Sequence, residues 1–291
     1  MREQNEAPRG QFSAPTWTSS AKDLVTTALG TSRVWVTLGY GIVNEIYWPA
    51  TGNPQIRDLG FIVWGPNGWH EVKRVARYEI TVPDHHIPLP RIVHEHADYR
   101  LELELVPDPQ RDVVLISFRL LGEGLRLYPL LAPHLGNSGM HNNASAGEEL
   151  FAWKGDAALC LTSDCGFSRA SAGHVGVSDG WQDFAQNGQM RWTYGTALDG
   201  NVALLGELAA NEGTLALGFS ETREGALTLA RSSLSVGFPC VRDCFVEGWQ
   251  EWGKNLQIQS TSATVEREAH ISAVVLKVHE DRTYPGSIVA S

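Results

Sequence analysis

No stretch of about 18 consecutive apolar residues occurs in the 291-residue chain, so its text holds no transmembrane helix. The first twenty residues, MREQNEAPRGQFSAPTWTSS, contain no apolar h-region, and with no signal peptide in view the chain is expected to be cytoplasmic. Basic residues never run longer than two, and 23 Lys and Arg against 33 Asp and Glu leave a net charge of −10. Nucleic-acid backbones and anionic membrane surfaces require a concentrated basic patch, so neither is an expected partner; neutral or cationic small ligands fit better. Cysteine is scarce. Cys160, Cys165, Cys240 and Cys244 are spaced C-x4-C and C-x3-C, which matches neither a usual zinc ribbon nor a redox pair, and buried free thiols are expected. The text also lacks G-x-G-x-x-G after a strand, G-x-x-x-x-G-K-[ST], H-E-x-x-H and G-x-S-x-G, which closes the usual cofactor and nucleophile routes. No cofactor is expected. His94 and His96 would share one strand face and His85 and His86 are adjacent, but no Cys or carboxylate pattern completes a set, and no metal site is assigned.

Turn formers are plentiful, with 29 glycines and 14 prolines exceeding the roughly 12% that the pair ordinarily claims. Ten tryptophans suit either sugar-ring stacking or core packing. From about residue 33 to 220 the text reads as short strands separated by turn residues such as PNG, PDP, GEG and LDGN. The expected strands are 34–38, 60–64, 71–82, 99–106, 113–120, 125–131, 157–163, 202–209 and 215–219. YRLELELV alternates leucine with charge, so one face is buried; VVLISFRL is apolar on both faces and belongs in mid-sheet. Strands in series without helices between them indicate two antiparallel sheets.

The period changes after about residue 221. Leu227, Ala230, Arg231 and Leu234 fall at helical spacing, and Pro239 is expected to end that unit. Val241, Phe245, Trp249 and Trp252 form an i, i+4, i+8, i+11 stripe that offers one apolar face. A third helix, with Thr264 as N-cap and Arg267 and Glu268 in its first turn, lines up Ile271, Val274, Val275 and Val278. Only eleven residues come after Glu280, too few for another helix and its turn.

Paired carboxylates could serve glycoside hydrolysis. Glu148 with Glu149, Glu102 with Glu104, and Asp243 with Glu247 are as readily explained by a solvated face, and no catalytic residue is assigned. The densest signal is GYGIVNEIYWPATGNPQIRDLGFIVWG, residues 39–65, where Tyr40, Tyr47 and Trp48 supply aromatic surface and a Pro/Gly loop delivers Arg57 and Asp58 to a strand entrance. Saccharide contact and a structural loop buried against the rest of the protein both remain open for it.

WTSSAKD (17–23), SRVWVTLGYGIVNEIYWPATGNPQIRDLGF (32–61), PLLAPHLGNSGMHNNA (129–144), ALTLARSSL (226–234), FVEGWQEWGKNL (245–256) and TYPGSIVAS (283–291) resemble, in that order, the amino-terminal region of prokaryotic glucoamylase and glucodextranase-type enzymes of glycoside hydrolase family 15. One departure is Gly52, where many relatives have Asp. The resemblance implies a mainly β fold: a large antiparallel β-supersandwich, galactose mutarotase-like, over residues 1–238; a linker helix over 239–260; and over 261–291 the first helix of an (α/α)6 barrel that is otherwise absent. It also implies inverting hydrolysis that releases glucose from non-reducing ends of α-glucans as the parent reaction. The general acid and base glutamates of such enzymes would lie beyond residue 291, so this chain alone is expected to be inactive and to support and shape the barrel. Tyr40, Tyr47, Trp48, Arg57, Asp58, Trp249 and Trp252 are the candidate domain-docking or sugar-contact residues. The expected partners are the missing C-terminal barrel and, second, an α-glucan or maltooligosaccharide. Two alternatives are a stand-alone carbohydrate-binding module and a mutarotase-like sugar epimerase using His94, His134 or His141.

Overall fold

The structure, a computed structural model, describes residues 5–10, 21–258 and 262–288. Residues 17–20 and 289–291 of the resembling segments lie outside that set. From the amino end come β1 (Leu24–Thr27), β2 (Trp35–Gly39), β3 (Ile42–Tyr47), β4 (Pro54–Gly65) and β5 (Gly68–Glu71), then one helical turn, α1 (Val72–Val75). Next are β6 (Arg77–Thr81), β7 (Arg91–Glu95), β8 (Arg100–Pro107), β9 (Val113–Leu121) and β10 (Arg126–Pro133). Four further strands, β11 (Asn142–Ala146), β12 (Leu150–Lys154), β13 (Ala157–Ser163) and β14 (Phe167–His174), lead to α2 (Gly180–Asn187). Then come β15 (Thr196–Gly200), β16 (Val202–Leu208), β17 (Glu212–Ser220), α3 (Arg223–Val236), α4 (Phe238–Lys254) and α5 (Ala263–Val278).

Two sheets result, and every ladder between these strands is antiparallel. One sheet runs β1-β2-β3-β4-β10-β16-β14 with β5 folded back on β4; the other runs β15-β11-β12-β13-β17-β9-β8-β7-β6. Strand β9 shows why the second sheet needs cover on both sides. Val114, Ile116 and Phe118 face the first sheet within a shared core, while Val113 and Leu115 face outward into a second cluster with Ala230, Val241, Phe245 and Trp249 of the helices. A strand apolar on both faces therefore sits between two layers, as its text requires. In β8 the leucine face is buried, whereas on the other face Arg100, Glu102 and Glu104 stay partly wetted until Val106 enters the outer cluster. The third helical layer lies close because β17 carries Gly218: a Cβ there would come within 2.5 Å of the Ala226 carbonyl oxygen.

Several boundaries differ from the sequence reading. The expected strand 71–82 is interrupted by α1, since Val72 is buried while Lys73 and Arg74 turn outward. Gly237, at φ 90°, separates α3 from α4, and Pro239 stands in the first turn of α4, where its missing N–H has no helical partner to lose. Ser262, not Thr264, precedes the first residue of α5. Of the four cysteines only Cys160 is buried; Cys240 and Cys244 are exposed, because they occupy the face of α4 opposite its buried stripe. Among the described residues, no helix is long and apolar enough to cross a membrane.

Candidate functional site

The aromatic loop between β3 and β4 is an anchor built from buried polar contacts. Trp48 is only 5% exposed; its indole N–H donates to Asp112 Oδ2 at 2.7 Å, and its ring stacks on Phe219 with centroids 6.4 Å apart. Asp112 also accepts from the Arg33 backbone N–H at 2.7 Å and its guanidinium at 2.8 Å. A buried carboxylate with three donors is satisfied, so the site joins one sheet to the other without a stranded charge. Gln55 closes the loop from inside, donating to the Trp48 carbonyl at 2.6 Å and accepting from Gly136 N–H at 2.9 Å.

The same loop holds the segment after α5. Asp281, 3% exposed, accepts from the N–H and hydroxyl of Thr51, both at 2.7 Å, and from Tyr284 N–H at 2.9 Å. Burial alone would raise its pKa, but these hydrogen bonds hold the carboxyl below its usual value. Thr283 donates its hydroxyl proton to the Pro49 carbonyl. Arg282 donates to the Ser32 carbonyl at 2.6 Å and to the Thr27 hydroxyl at 3.0 Å, and its guanidinium lies 5.6 Å from the Trp35 ring centroid. Burial lowers the Arg282 pKa to about 10, against the opposing pull of Glu280, Asp281 and Asp112, so it remains cationic at neutral pH. Residues 280–284 thus form a strap across the sandwich, fastened by pairs some 230 positions apart in sequence.

Arg57 and Asp58 lie inside β4, not at its entrance. The register with β10 slips here, pairing Asp58 with Ala132 and Ile56 with Pro133, so Arg57 is the extra residue of a bulge. Both side chains consequently line one pocket of about 300 Å3 with Glu71, Lys73, Asp179 and Trp181. Its acids are engaged. Glu71 accepts from Trp181 Nε1 at 2.8 Å and is paired with Lys73 at 3.3 Å and with Arg74; Asp58 is near Arg57 and Lys73, at 3.4 and 3.5 Å. Asp179 caps α2, accepting from Trp181 N–H and Gln182 N–H; burial raises its pKa despite those bonds. Balanced charges beside an indole edge can bind a polyhydroxylated ligand, but no carboxylate pair stands free to work as acid and base. Sequence reasoning did not find Glu71, Lys73, Asp179 or Trp181. The only local signal was Asp179 ahead of a helical octet ended by Gly188.

The remaining candidates separate. Tyr40 is exposed in the β2–β3 hairpin with φ 57°, followed by Gly41 at 70°, the two left-handed residues of a tight turn. Tyr47 is partly buried at the end of β3; burial and then the Glu45 charge raise its pKa. Trp249 is wholly buried, donates to the Thr27 carbonyl at 3.1 Å and meets Trp252 edge-on at 5.3 Å. Its stripe is covered by the second sheet. Neither Trp48 nor Trp249 therefore offers a free face to a sugar or to another domain; both are spent on the chain's own core. Trp252 is half-buried beside Trp249.

The carboxylate pairs are committed to salt links where they have partners. Glu102 binds Arg100 and Arg91, which hold its pKa down, Glu149 binds Arg231 at 2.6 Å, and Asp243 pairs with Arg242 at 3.0 Å. The three histidines considered for epimerase chemistry do not form a set. His94 is buried on β7 with Nε2 2.8 Å from the Gly41 carbonyl, and burial lowers its pKa to about 4. His134 comes directly after β10 in the other sheet; burial, then the charges of Arg57 and Lys154, lower it to about 4. His141 is exposed and bonds Asp199 at 2.7 Å. Two other clusters gather possible ligand atoms within 4.8 Å of one another: His70, His96 and Asp98, and His85, His86 and His270. The second completes the His85–His86 pair with a residue from α5, which no spacing in the text foretold.

Comparison with known proteins agrees with this architecture. A glucoamylase from Clostridium sp. (strain G0005) is 24% identical over 302 residues, covering 98% of this chain and 43% of the relative. A bacterial glucoamylase complexed with acarbose superposes with a TM-score of 0.93 at 23% identity, over 99% of this chain and 45% of that one. A family GH92 α-mannosidase from Bacteroides thetaiotaomicron shares the fold more distantly, with a TM-score of 0.53 at 13% identity over 84% of this chain and 38% of its own. The chain thus spans less than half the length of these relatives. Residues 7–254 match the family described as glucodextranase, domain N, which takes in both sheets and the helices through α4, and the chain belongs to that family.

Proposed function

We propose that this chain is the amino-terminal, non-catalytic part of a glucoamylase-like glycoside hydrolase that releases glucose from non-reducing ends of α-glucans with inversion. In this reading residues 1–238 are the supersandwich, 239–260 the linker and 261–291 the opening of an α/α barrel. The observation that carries it is the strap: Thr51, Pro49 and Ser32 of the sandwich hold residues 281–283 immediately after α5. A sandwich that grips the chain at that point positions α5 as the first element of the next domain. The exposed apolar side of α5, with Val265, Val275 and Leu276, supports the same reading, because a helix face of that character ordinarily has a partner.

The test is an assay of the 291-residue chain for glucose release from maltose and maltooligosaccharides, beside a longer protein that contains it. No turnover by the chain and turnover by the longer protein is expected. Hydrolysis by the chain alone would overturn the non-catalytic role. A second reading, carbohydrate binding by the sandwich itself, is favoured by the Arg57–Trp181 pocket. Calorimetry with maltooligosaccharides separates the two: millimolar or tighter binding that is lost in Trp181→Ala supports it, and a flat titration removes it.

A further inference from the structure

The turn Asp84–Ile87 and helix α5 bring together three imidazoles, although His85 and His86 stand more than 180 positions from His270 in sequence. Ring centroids of His85 and His86 are 3.8 Å apart, and those of His86 and His270 are 4.3 Å apart. One nitrogen from each ring lies within 4.8 Å of the other two. Tetrahedral zinc with Zn–N bonds of about 2.0–2.1 Å sets its ligand nitrogens roughly 3.3 Å apart, a contraction that partly exposed side chains on a turn and a helix can make.

Hydrogen bonding has sorted the nitrogens for that task. His270 Nδ1 is 2.9 Å from the Glu266 carbonyl oxygen of its own helix, so Nδ1 carries the proton and Nε2 keeps its lone pair. His85 Nδ1 lies 3.0 Å from Asp84 Oδ1, the carboxylate–imidazole pairing that orients a ligating histidine. That carboxylate oxygen also accepts from the His86 backbone N–H at 3.2 Å, fixing the turn on which both histidines stand. His86 Nδ1 is shut off from solvent with no hydrogen-bond partner among the described residues, an orphan that a metal would satisfy. Asp84 and Glu266 add negative charge nearby, and the chain as a whole carries −10. The other cluster is less suited, because His96 Nδ1 already accepts from the Asp98 N–H at 3.2 Å and both its rings lean on the Asp98 carboxylate.

We propose that His85, His86 and His270 bind a late first-row divalent metal, Zn2+ by ligand chemistry, which cross-links the sandwich to α5. Three neutral imidazoles suit zinc, copper and nickel, and exclude the oxygen-seeking magnesium and calcium. The site is structural: it fastens α5 at its middle, while the strap of residues 281–284 fastens the chain beyond the end of that helix. It stands on side chains of this chain alone and does not depend on whether a barrel comes next.

The experiment titrates Zn2+ calorimetrically into the untagged 291-residue chain after chelator treatment, with Co2+ as a spectroscopic probe. One equivalent with a Kd below about 10 μM, visible Co2+ d–d bands, and at least a tenfold loss of affinity in both His270→Ala and His86→Gln are expected. Each substituted residue is partly exposed, so far-UV circular dichroism and the urea midpoint of the metal-free variants should match the parent. His96→Ala and His141→Ala serve as controls that keep the tight site. Hydrogen exchange supplies a second readout: Zn2+ should slow exchange in α5 of the parent and leave α5 of His270→Ala unchanged. Absence of stoichiometric binding overturns the proposal, and so does undiminished binding in His270→Ala or its loss in His96→Ala.

Discussion

Helices α4 and α5 each carry an apolar stripe, aromatic in α4 and β-branched in α5, and the two meet different fates. In α4 the stripe Val241, Phe245, Trp249 is sealed against the second sheet, whereas in α5 only Val274 and Val278 are buried and Val275 and Leu276 remain 49% and 59% exposed. A stripe therefore announces that a partner is needed without saying which one. The difference lies in what each helix finds beneath it. Strands β9 and β17 expose Val113, Leu115 and Ala216 on their outer face, and α3 and α4 complete that layer. Helix α5 joins that cluster only through Val274 and Val278, while Ile271, Val275 and Leu276 stay exposed. Helices α3 and α4 thus complete a layer over the second sheet, whereas α5 keeps an apolar face exposed.

The contrast would break if Trp249 were dispensable. Trp249→Ala removes a wholly buried indole and its hydrogen bond to Thr27, and about 3–5 kcal/mol should be lost in urea unfolding of the entire sandwich. Trp252→Ala, half-exposed one turn on, should cost less than half as much. A loss below about 1.5 kcal/mol for Trp249→Ala would mean that α4 is as peripheral as α5.

Acid sharpens the contrast, because the two imidazoles pushed to about 4 both lie in the sandwich. Their folded-state pKa values are depressed below the ordinary 6.5, so between those limits the unfolded chain binds protons that the folded chain refuses. Their contribution is intact above pH 6.5 and is lost as the pH falls toward 4, at up to about 1.4 kcal/mol per pH unit for each. Urea midpoints at pH 7, 5.5 and 4.5 measure the slope. His94→Gln should flatten it, at some cost in stability at pH 7; an unchanged slope would show that His94 does not report this burial.

Much of the sandwich was legible in the sequence because its strands must hide leucine or valine on a fixed side. β8 and β9 emerge directly from YRLELELV and VVLISFRL. Edge and near-edge strands such as β11, NNASA, and β15, TALDG, were missed because their buried positions, Asn142, Ala144, Ala197 and Gly200, are small or polar and no apolar alternation marks them. The site was less legible for a physical reason. The text shows that Trp48 and Trp249 are aromatic and sit at useful spacings, but an indole reads the same whether it stacks on Phe219 inside or on a sugar outside. The decisive contacts, Thr51 with Asp281 and His86 with His270, join positions whose separation leaves no periodic trace. Arg57 and Asp58 share a pocket only because a bulge undoes the alternation their spacing implies.

Asp281→Ala tests the fastening between the two regions. It removes a buried carboxylate and leaves the Thr51 N–H and hydroxyl without their acceptor, so about 1–3 kcal/mol should disappear locally. Hydrogen exchange at Thr51 and Tyr284 amides should accelerate while Trp35–Gly39 in β2 stays protected. Equal acceleration in β2 would mean that the strap is part of the sandwich's own cooperative unit.

The smallest expected effect is the most direct probe of the exposed face. Leu276→Ser replaces a side chain that is 59% exposed on α5, and nothing among the described residues packs on it enough to be missed. The urea midpoint should stay within about 0.5 kcal/mol of the parent, as for surface substitutions generally. Exposed Val265, Val275 and Leu276 form an apolar surface with reason to self-associate, so sedimentation velocity at high protein concentration should show less association in the variant. A loss above about 2 kcal/mol would mean that the face is already covered by this chain. In that case α5 would be a fifth helix of the sandwich and not the first element of another layer.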